Sequence, residues 1–408
     1  MDGRLTGEKI TMSRILFAAL AASLTLTTAA VAADAPGVTA TEIKVGATFP
    51  FSGPASSLGN AGKGLIAYVN QVNDRGGING RKINLITYDD AYSPPKAVEH
   101  TRKLIESDEV SFMFGQLGTP SNSATIKYLT GKKIPDAFIT TGATKFTDSK
   151  EYPLTTTSLP SYDTEGKVYA KYFKAQLPNA KVGILYQNDD LGKDFVNAFK
   201  PIYKDEFASK VVALAYEVAD PTVDSQVVNL KAAAPEALLI AGTPKFAAQA
   251  LRKMNEMGWK PLTLVNFVAA SIGNTFVPVG LDKVTGVLTA GFQKDATDPK
   301  WKDDQGVKDF TAFAQKYLPG ADLSDQNYLF GYQQGMILEQ LIKQAGNDLS
   351  RENIVKQTKS FKDFALPTVL PGIKINTTPE VNQAYTQMQM QRWNGKSWDQ
   401  LGDVVKAD

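Results

Sequence analysis

Val182-Gly183-Ile184-Leu185-Tyr186-Gln187, then Asn188-Asp189-Asp190, then the helical period Lys193–Phe207: this stretch runs from a short apolar strand through a polar turn into a helix. Such a run is too short for a helix and suits a strand buried on both faces. The same unit recurs on either side of it. Candidate strands are Ile43–Phe49, Ile83–Asp89, Val110–Gly115, Asp136–Thr141, Val211–Val218, Ala237–Ala241 and Leu262–Phe267. Candidate helices are Gly62–Asn73, Pro95–Ser107, Asn122–Leu129, Glu165–Ala175 and Lys245–Met257. Steady alternation implies βαβ units, hence parallel sheets with right-handed crossovers and helices on both faces. The chain supplies more strands than one such sheet takes. The expected fold class is therefore α/β, with two doubly wound parallel-sheet lobes.

The C-terminal residues leave this rhythm. Tyr385–Trp393 alternates with period two, and Asn394-Gly395 precedes Lys396-Ser397-Trp398. Asn-Gly between such runs signals a hairpin in which both turn positions need φ > 0. An antiparallel ribbon added to the α/β body is expected.

At the other end, Met12-Ser13-Arg14 precedes an apolar stretch from Ile15 to about Ala30, closed by Ala30-Val31-Ala32-Ala33-Asp34. A basic start, a short apolar core and small residues at the end form a secretory signal peptide over residues 1–33, for which Met12 is a better start than Met1. The run is shorter than the roughly 20 residues a membrane span requires. The chain has no cysteine. It lacks the residue a lipoprotein carries at its cleavage point, so a freely diffusing periplasmic protein is expected. Apolar residues are 43%, charged residues 21% and the formal net charge +2. These values suit a globular chain with no basic excess for nucleic acid or a membrane surface. The single histidine, His100, lies in an amphipathic helical stretch. Histidine and cysteine are the usual base and nucleophile, and their scarcity argues against an enzyme. No cofactor or metal is expected.

Ligands of open parallel sheets bind beyond the carboxyl ends of the strands. After Val110–Gly115 comes Gln116-Leu117-Gly118-Thr119-Pro120, where Thr119 suits a helix cap and Pro120 the first helical turn. After Asp136–Thr141 comes Gly142-Ala143-Thr144. Both turns bring hydroxyls and free N–H groups to one region, which suits an anion; ordinary helix capping explains the same residues. Phe49-Pro50-Phe51-Ser52-Gly53-Pro54, ahead of Leu58, reads equally as a packing turn or a ligand turn.

These residues resemble the periplasmic Leu/Ile/Val-binding protein family, the type I solute-binding proteins of ABC importers. The likeness is carried, over nearly the whole mature chain, by Ile43-Lys44-Val45-Gly46, Ser52-Gly53-Pro54, Gly76-Gly77-Ile78-Asn79-Gly80, Tyr88-Asp89-Asp90, Gly142-Ala143-Thr144 and Tyr186-Gln187-Asn188-Asp189-Asp190. It implies two lobes joined by a three-segment hinge, with residues 34–160 and 292–368 in lobe one and 161–291 and 369–408 in lobe two. It implies a ligand carboxylate held by Thr119 and by the Gly142–Thr144 turn. The matching cleft positions are Leu58, Leu117, Leu191, Thr243 and Asn327. It also implies a monomer that delivers its solute to an inner-membrane ABC permease. Amino-acid-binding members place a glutamate after the strand that here reads Leu262–Phe267, to neutralise the ligand ammonium. No acidic residue occurs there, and Phe267 stands about where it is expected. The expected ligand is thus a small hydrophobic or aromatic carboxylate without a required ammonium. Leucine-type amino acids, with Asp163, Asp189 or Asp190 as ammonium partner, are the alternative, as is a sensor that presents its ligand to a receptor.

Overall fold

Strands β1 (Glu42–Phe49), β2 (Lys82–Asp89), β3 (Phe112–Phe114), β4 (Asp136–Ile139) and β5 (Thr155–Thr157) form a parallel sheet in the order β2-β1-β3-β4-β5. This computed structural model describes residues 35–406, so the expected leader lies outside the described residues. A second sheet holds β6 (Val182–Gln187), β7 (Val211–Tyr216), β8 (Ala237–Ala241), β9 (Leu262–Val265), β10 (Leu288–Gly291), β11 (Gln387–Trp393) and β12 (Trp398–Lys406), in the order β12-β11-β10-β9-β8-β6-β7. Its body is parallel, and β11 and β12 are added antiparallel. Separate apolar clusters cover the two faces of each sheet, as parallel sheets require. The two-lobed α/β class is as expected. Among the described residues, no helix is long and apolar enough to cross a membrane.

Two strands escaped the apolar-run criterion. β5 is Thr155-Thr156-Thr157, polar in composition yet buried at all three positions. β10 is Leu288-Thr289-Ala290-Gly291, small residues that fill a tightly covered strand. β4 also stops at Ile139, short of the expected Thr141. Phe138 adopts φ 51° and the pairing with β5 shifts register there, a bulge that turns the chain.

The helix Gln326–Ala345 was not anticipated, and it packs along Asn60–Asp74. A Cβ on Gly331 would lie 2.1 Å from the Ala61 carbonyl oxygen, so only glycine allows this approach. That contact brings Asp325, the N-cap, beside Asn60, whose Nδ2 donates to Asp325 Oδ2 at 2.7 Å.

The chain passes between the sheets after β5, after β10 and before β11. On the last passage, Val369, Leu370, Ile373, Ile375, Ala384 and Tyr385 pack in the first lobe's core. The return to the second sheet thus comes later than the expected boundary at residue 368. Trp393 and Trp398 pair across the ribbon end. Only Gly395 of the Asn-Gly pair has positive φ. Asn394 instead accepts the Lys396 and Ser397 N–H groups on Oδ1, at 2.9 Å each, and closes a longer turn. The Trp393 ring, 1% exposed, packs edge-on to Phe276 and Trp398 and donates from Nε1 to the Leu281 carbonyl. Trp393→Ala should cost about 3–5 kcal/mol, read as a lower midpoint in chemical denaturation. A loss below 1 kcal/mol would mean that the ribbon is not held by this ring.

Candidate functional site

Between the carboxyl ends of the two sheets lies a cleft, the place where open parallel sheets bind small molecules. Leu58, Leu117 and Thr119 come to it from the first lobe, Leu191 and Phe267 from the second, and Asn327 from the start of the long helix. Six of the nine residues expected at a site therefore share one cleft. Tyr92, Leu159, Tyr162, Gln293, Gln326 and Phe330 also line it and were not anticipated. Among the described residues, none that lines it is charged.

Tyr92 had a readable signal. Ala91 and Tyr92 both take left-handed backbone, φ 51° and 60°, which is strained for side chains of this kind, by about 1–3 kcal/mol each. Asp89 Oδ1 accepts the Ala91 N–H at 2.9 Å, and Asp90 Oδ1 accepts the Tyr92 N–H at 2.8 Å. The Asp89-Asp90 pair after β2 is thus a device for holding this turn. It delivers the Tyr92 ring to the cleft.

Gly142, Thr144 and Thr243 do not line the cleft. Thr144 faces the seam between the lobes: its N–H donates to Asp194 Oδ2 at 2.7 Å and its hydroxyl accepts the Asp163 N–H at 3.3 Å. Gly142 is covered by Tyr162. Its carbonyl accepts the Tyr162 N–H at 2.7 Å, and a Cβ would lie 2.7 Å from the Tyr162 ring. The Tyr162 hydroxyl faces the Gly142 N–H and the hydroxyls of Thr119 and Thr141; burial pushes its pKa up to about 12. Thr243 is screened by a polar chain. Its N–H donates to the Tyr216 hydroxyl at 3.2 Å, that hydroxyl donates to Gln187 Oε1 at 3.3 Å, and Gln187 Nε2 donates to Asp189 Oδ2 at 2.6 Å.

The lobes meet around this cleft. Lys145 pairs with Asp190 at 2.6 Å, and the Ser123 hydroxyl donates to the same carboxylate oxygen at 3.1 Å. Lys145 holds the Asp190 pKa below the usual range against burial, the larger influence, which acts to raise it. On the other side, Gln326 Nε2 donates to the Phe267 carbonyl at 2.9 Å. Asp189 is pushed up to about 6 by burial, opposed by the Gln187 amide.

A carboxylate does approach Phe267, from behind. Glu165, on the helix Tyr162–Gln176, accepts the Phe267 N–H at 2.7 Å and the Tyr169 hydroxyl at 2.6 Å on Oε1. It does not line the cleft. Burial pushes its pKa up to about 7, from 4.5. The native state therefore holds a proton that the unfolded chain releases above about pH 4.5. The associated stability is full below that pH and is lost as pH rises through about 7. Glu165→Gln keeps Oε1 as acceptor and cannot ionise. It should gain on the order of 2–3 kcal/mol relative to the parent between about pH 5 and 8, seen as a flatter plot of melting temperature against pH. Asp136, pushed up to about 7 by burial, loses stability over the same window in both proteins. Parallel plots would refute an ionising Glu165.

Residues 42–397 match the model of the periplasmic binding protein family. The chain is 26% identical over 388 residues to Leu/Ile/Val-binding protein homolog 7 of Brucella abortus, an alignment covering 91% of this chain and 94% of that one. Among solved structures it resembles a branched-chain amino acid ABC transporter protein from Thermus thermophilus with bound valine, TM-score 0.81 at 15% identity, covering 90% of this chain and 97% of that one. It also resembles an R. palustris solute-binding protein in complex with 4-hydroxybenzoate, TM-score 0.74 at 18% identity, with the same coverage.

Proposed function

We propose that this chain, which belongs to the periplasmic binding protein family, captures a small hydrophobic or aromatic carboxylate between its lobes and delivers it to an inner-membrane ABC permease. Members of this family bind solutes rather than transform them, and its Leu/Ile/Val-binding branch serves ABC importers. A secreted monomer with a cleaved leader fits that role.

The observation that carries the choice of ligand is the uncharged cleft lining. An ammonium would be buried there without a carboxylate, at a cost of several kcal/mol. Glu165 offers no relief, because it does not line the cleft and burial pushes its pKa up to about 7, which favours the neutral acid. A carboxylate needs only neutral donors: the Tyr92 and Tyr162 hydroxyls border the cleft, and the Thr119 hydroxyl, 2.8 Å from that of Thr141, turns its proton from that partner to the ligand. Burial raises both tyrosine pKa values, so both phenols keep their protons. This moves the anion site from the Thr144 turn, which is engaged at the seam, to the hydroxyl cluster around Thr119. The body of the solute lies against Leu58, Leu117, Leu191, Phe267 and Phe330.

Calorimetric titration with benzoate, 4-hydroxybenzoate, leucine and valine tests this. Micromolar binding of an aromatic acid, with none of leucine, is expected. Leucine binding with no acid binding overturns the reading and favours the branched-chain amino acids named for the relatives. Thr119→Val should weaken acid binding about tenfold, or about 1.4 kcal/mol, with the melting temperature little changed. Unchanged affinity would remove this hydroxyl from the site.

A further inference from the structure

A second chamber adjoins the cleft and shares with it Phe267, Gln293 and Gln326. These three residues form the wall between the chambers. Gln326 Nε2 donates to the Phe267 carbonyl at 2.9 Å, from one lobe to the other, and Gln293 Nε2 donates to the Gln326 carbonyl at 3.2 Å. One of the two bonds closing the wall thus exists only while the lobes touch. Opening the lobes breaks that bond and leaves only the one from Gln293 to Gln326.

The chambers differ in chemistry. Thr119 and Tyr162, the anion donors, border only the first. The second is bordered by Thr289, Lys294, Asp295 and Gln391. Lys294 is already compensated: its Nζ reaches Asp304 Oδ2 at 2.6 Å and the Pro367 carbonyl at 2.7 Å. The acceptors are not. Gln293 is 6% exposed and its Oε1 is buried without a partner, as is Asp295 Oδ2. Buried acceptors without partners favour a ligand that brings a donor.

We infer that the solute is an elongated carboxylate: its anionic end and apolar body fill the first chamber, and a tail bearing a hydroxyl or N–H donor passes Gln293 into the second. This rests on the carboxylate reading above. It adds a length requirement and makes Gln293 a specificity-determining residue.

Calorimetry with benzoate, para-propylbenzoate and para-(hydroxyethyl)benzoate separates the possibilities. The hydroxylated compound should bind at least tenfold tighter than its propyl counterpart. Ala296→Phe, which fills the second chamber from a half-buried position, should abolish that advantage and leave benzoate affinity within twofold. Ala296→Leu, a smaller filling of the same space, provides the same test should the first variant fold poorly. Benzoate binding with no preference for the hydroxylated tail overturns the second-chamber inference alone. So does a preference that survives both substitutions. Leucine binding with no acid binding overturns the carboxylate reading and this inference together.

Discussion

Phe292 joins the hinge to the cleft: its ring centroid lies 4.6 Å from that of Phe267 and 4.5 Å from that of Tyr385. Phe267 follows β9, Phe292 follows β10 on the second passage between lobes, and Tyr385 precedes β11 on the third. Three chain segments are thus tied by one aromatic column, each pair contributing about 0.5–1.5 kcal/mol beyond its burial. The column decides where Phe267 can be. Glu165 then secures the same residue from behind through its N–H. Cleft floor and hinge are one packed unit, so a substitution at Phe292 or Tyr385 would displace a ligand-facing ring that neither residue touches through the ligand.

The distribution of charge follows from the same economy of space. Carboxylates approach the cleft from several elements, yet each is occupied before reaching it. Asp194 caps the Thr144 turn, Asp190 pairs with Lys145, Asp189 holds Gln187 and the Leu191 N–H, and Asp325 holds the Asn327 N–H and side chain. What remains facing the solute is neutral. Selectivity in such a cleft comes from which charge the neutral groups can solvate. Hydroxyls with protons to donate suit an anion, whereas a cation finds no carboxylate in the lining.

Much of this was legible in the sequence, and the failures have specific causes. The alternation of apolar strands and amphipathic helices located eight strands, because burial on both faces leaves a dense apolar run. β5 and β10 were hidden because threonine, alanine and glycine can fill a covered strand without looking apolar. Thr119 was found on a strand-end turn, where the topology places ligand sites, whereas Leu58, Leu117, Leu191, Phe267 and Asn327 came from the family resemblance. Thr144 and Thr243 belong to the right turns but point elsewhere; side-chain direction depends on Asp194 and Tyr216, which lie far away in sequence. Tyr92 was readable in principle from the Asp89-Asp90 turn. Gln293, Gln326 and Phe330 were not, because the hinge and the packing of the long helix bring them there.

The seam contacts also bear on how binding drives closure. The Lys145–Asp190 pair has side chains 34% and 42% exposed, and such pairs contribute about 0–1 kcal/mol, less at high salt. The bonds from Gln326 to Phe267, from Gly273 to Ser324 and from Thr144 to Asp194 replace bonds to water on opening, for a net of about 1 kcal/mol each. The polar contacts of the seam therefore contribute a few kcal/mol at most toward closure. A solute shifts that equilibrium only by touching both lobes in the closed state. The apolar lining is divided for that purpose: Leu58 and Leu117 stand on one lobe, Leu191 and Phe267 on the other. A ligand that spans them loses half its burial when the lobes part, and that difference is the free energy available to keep them shut.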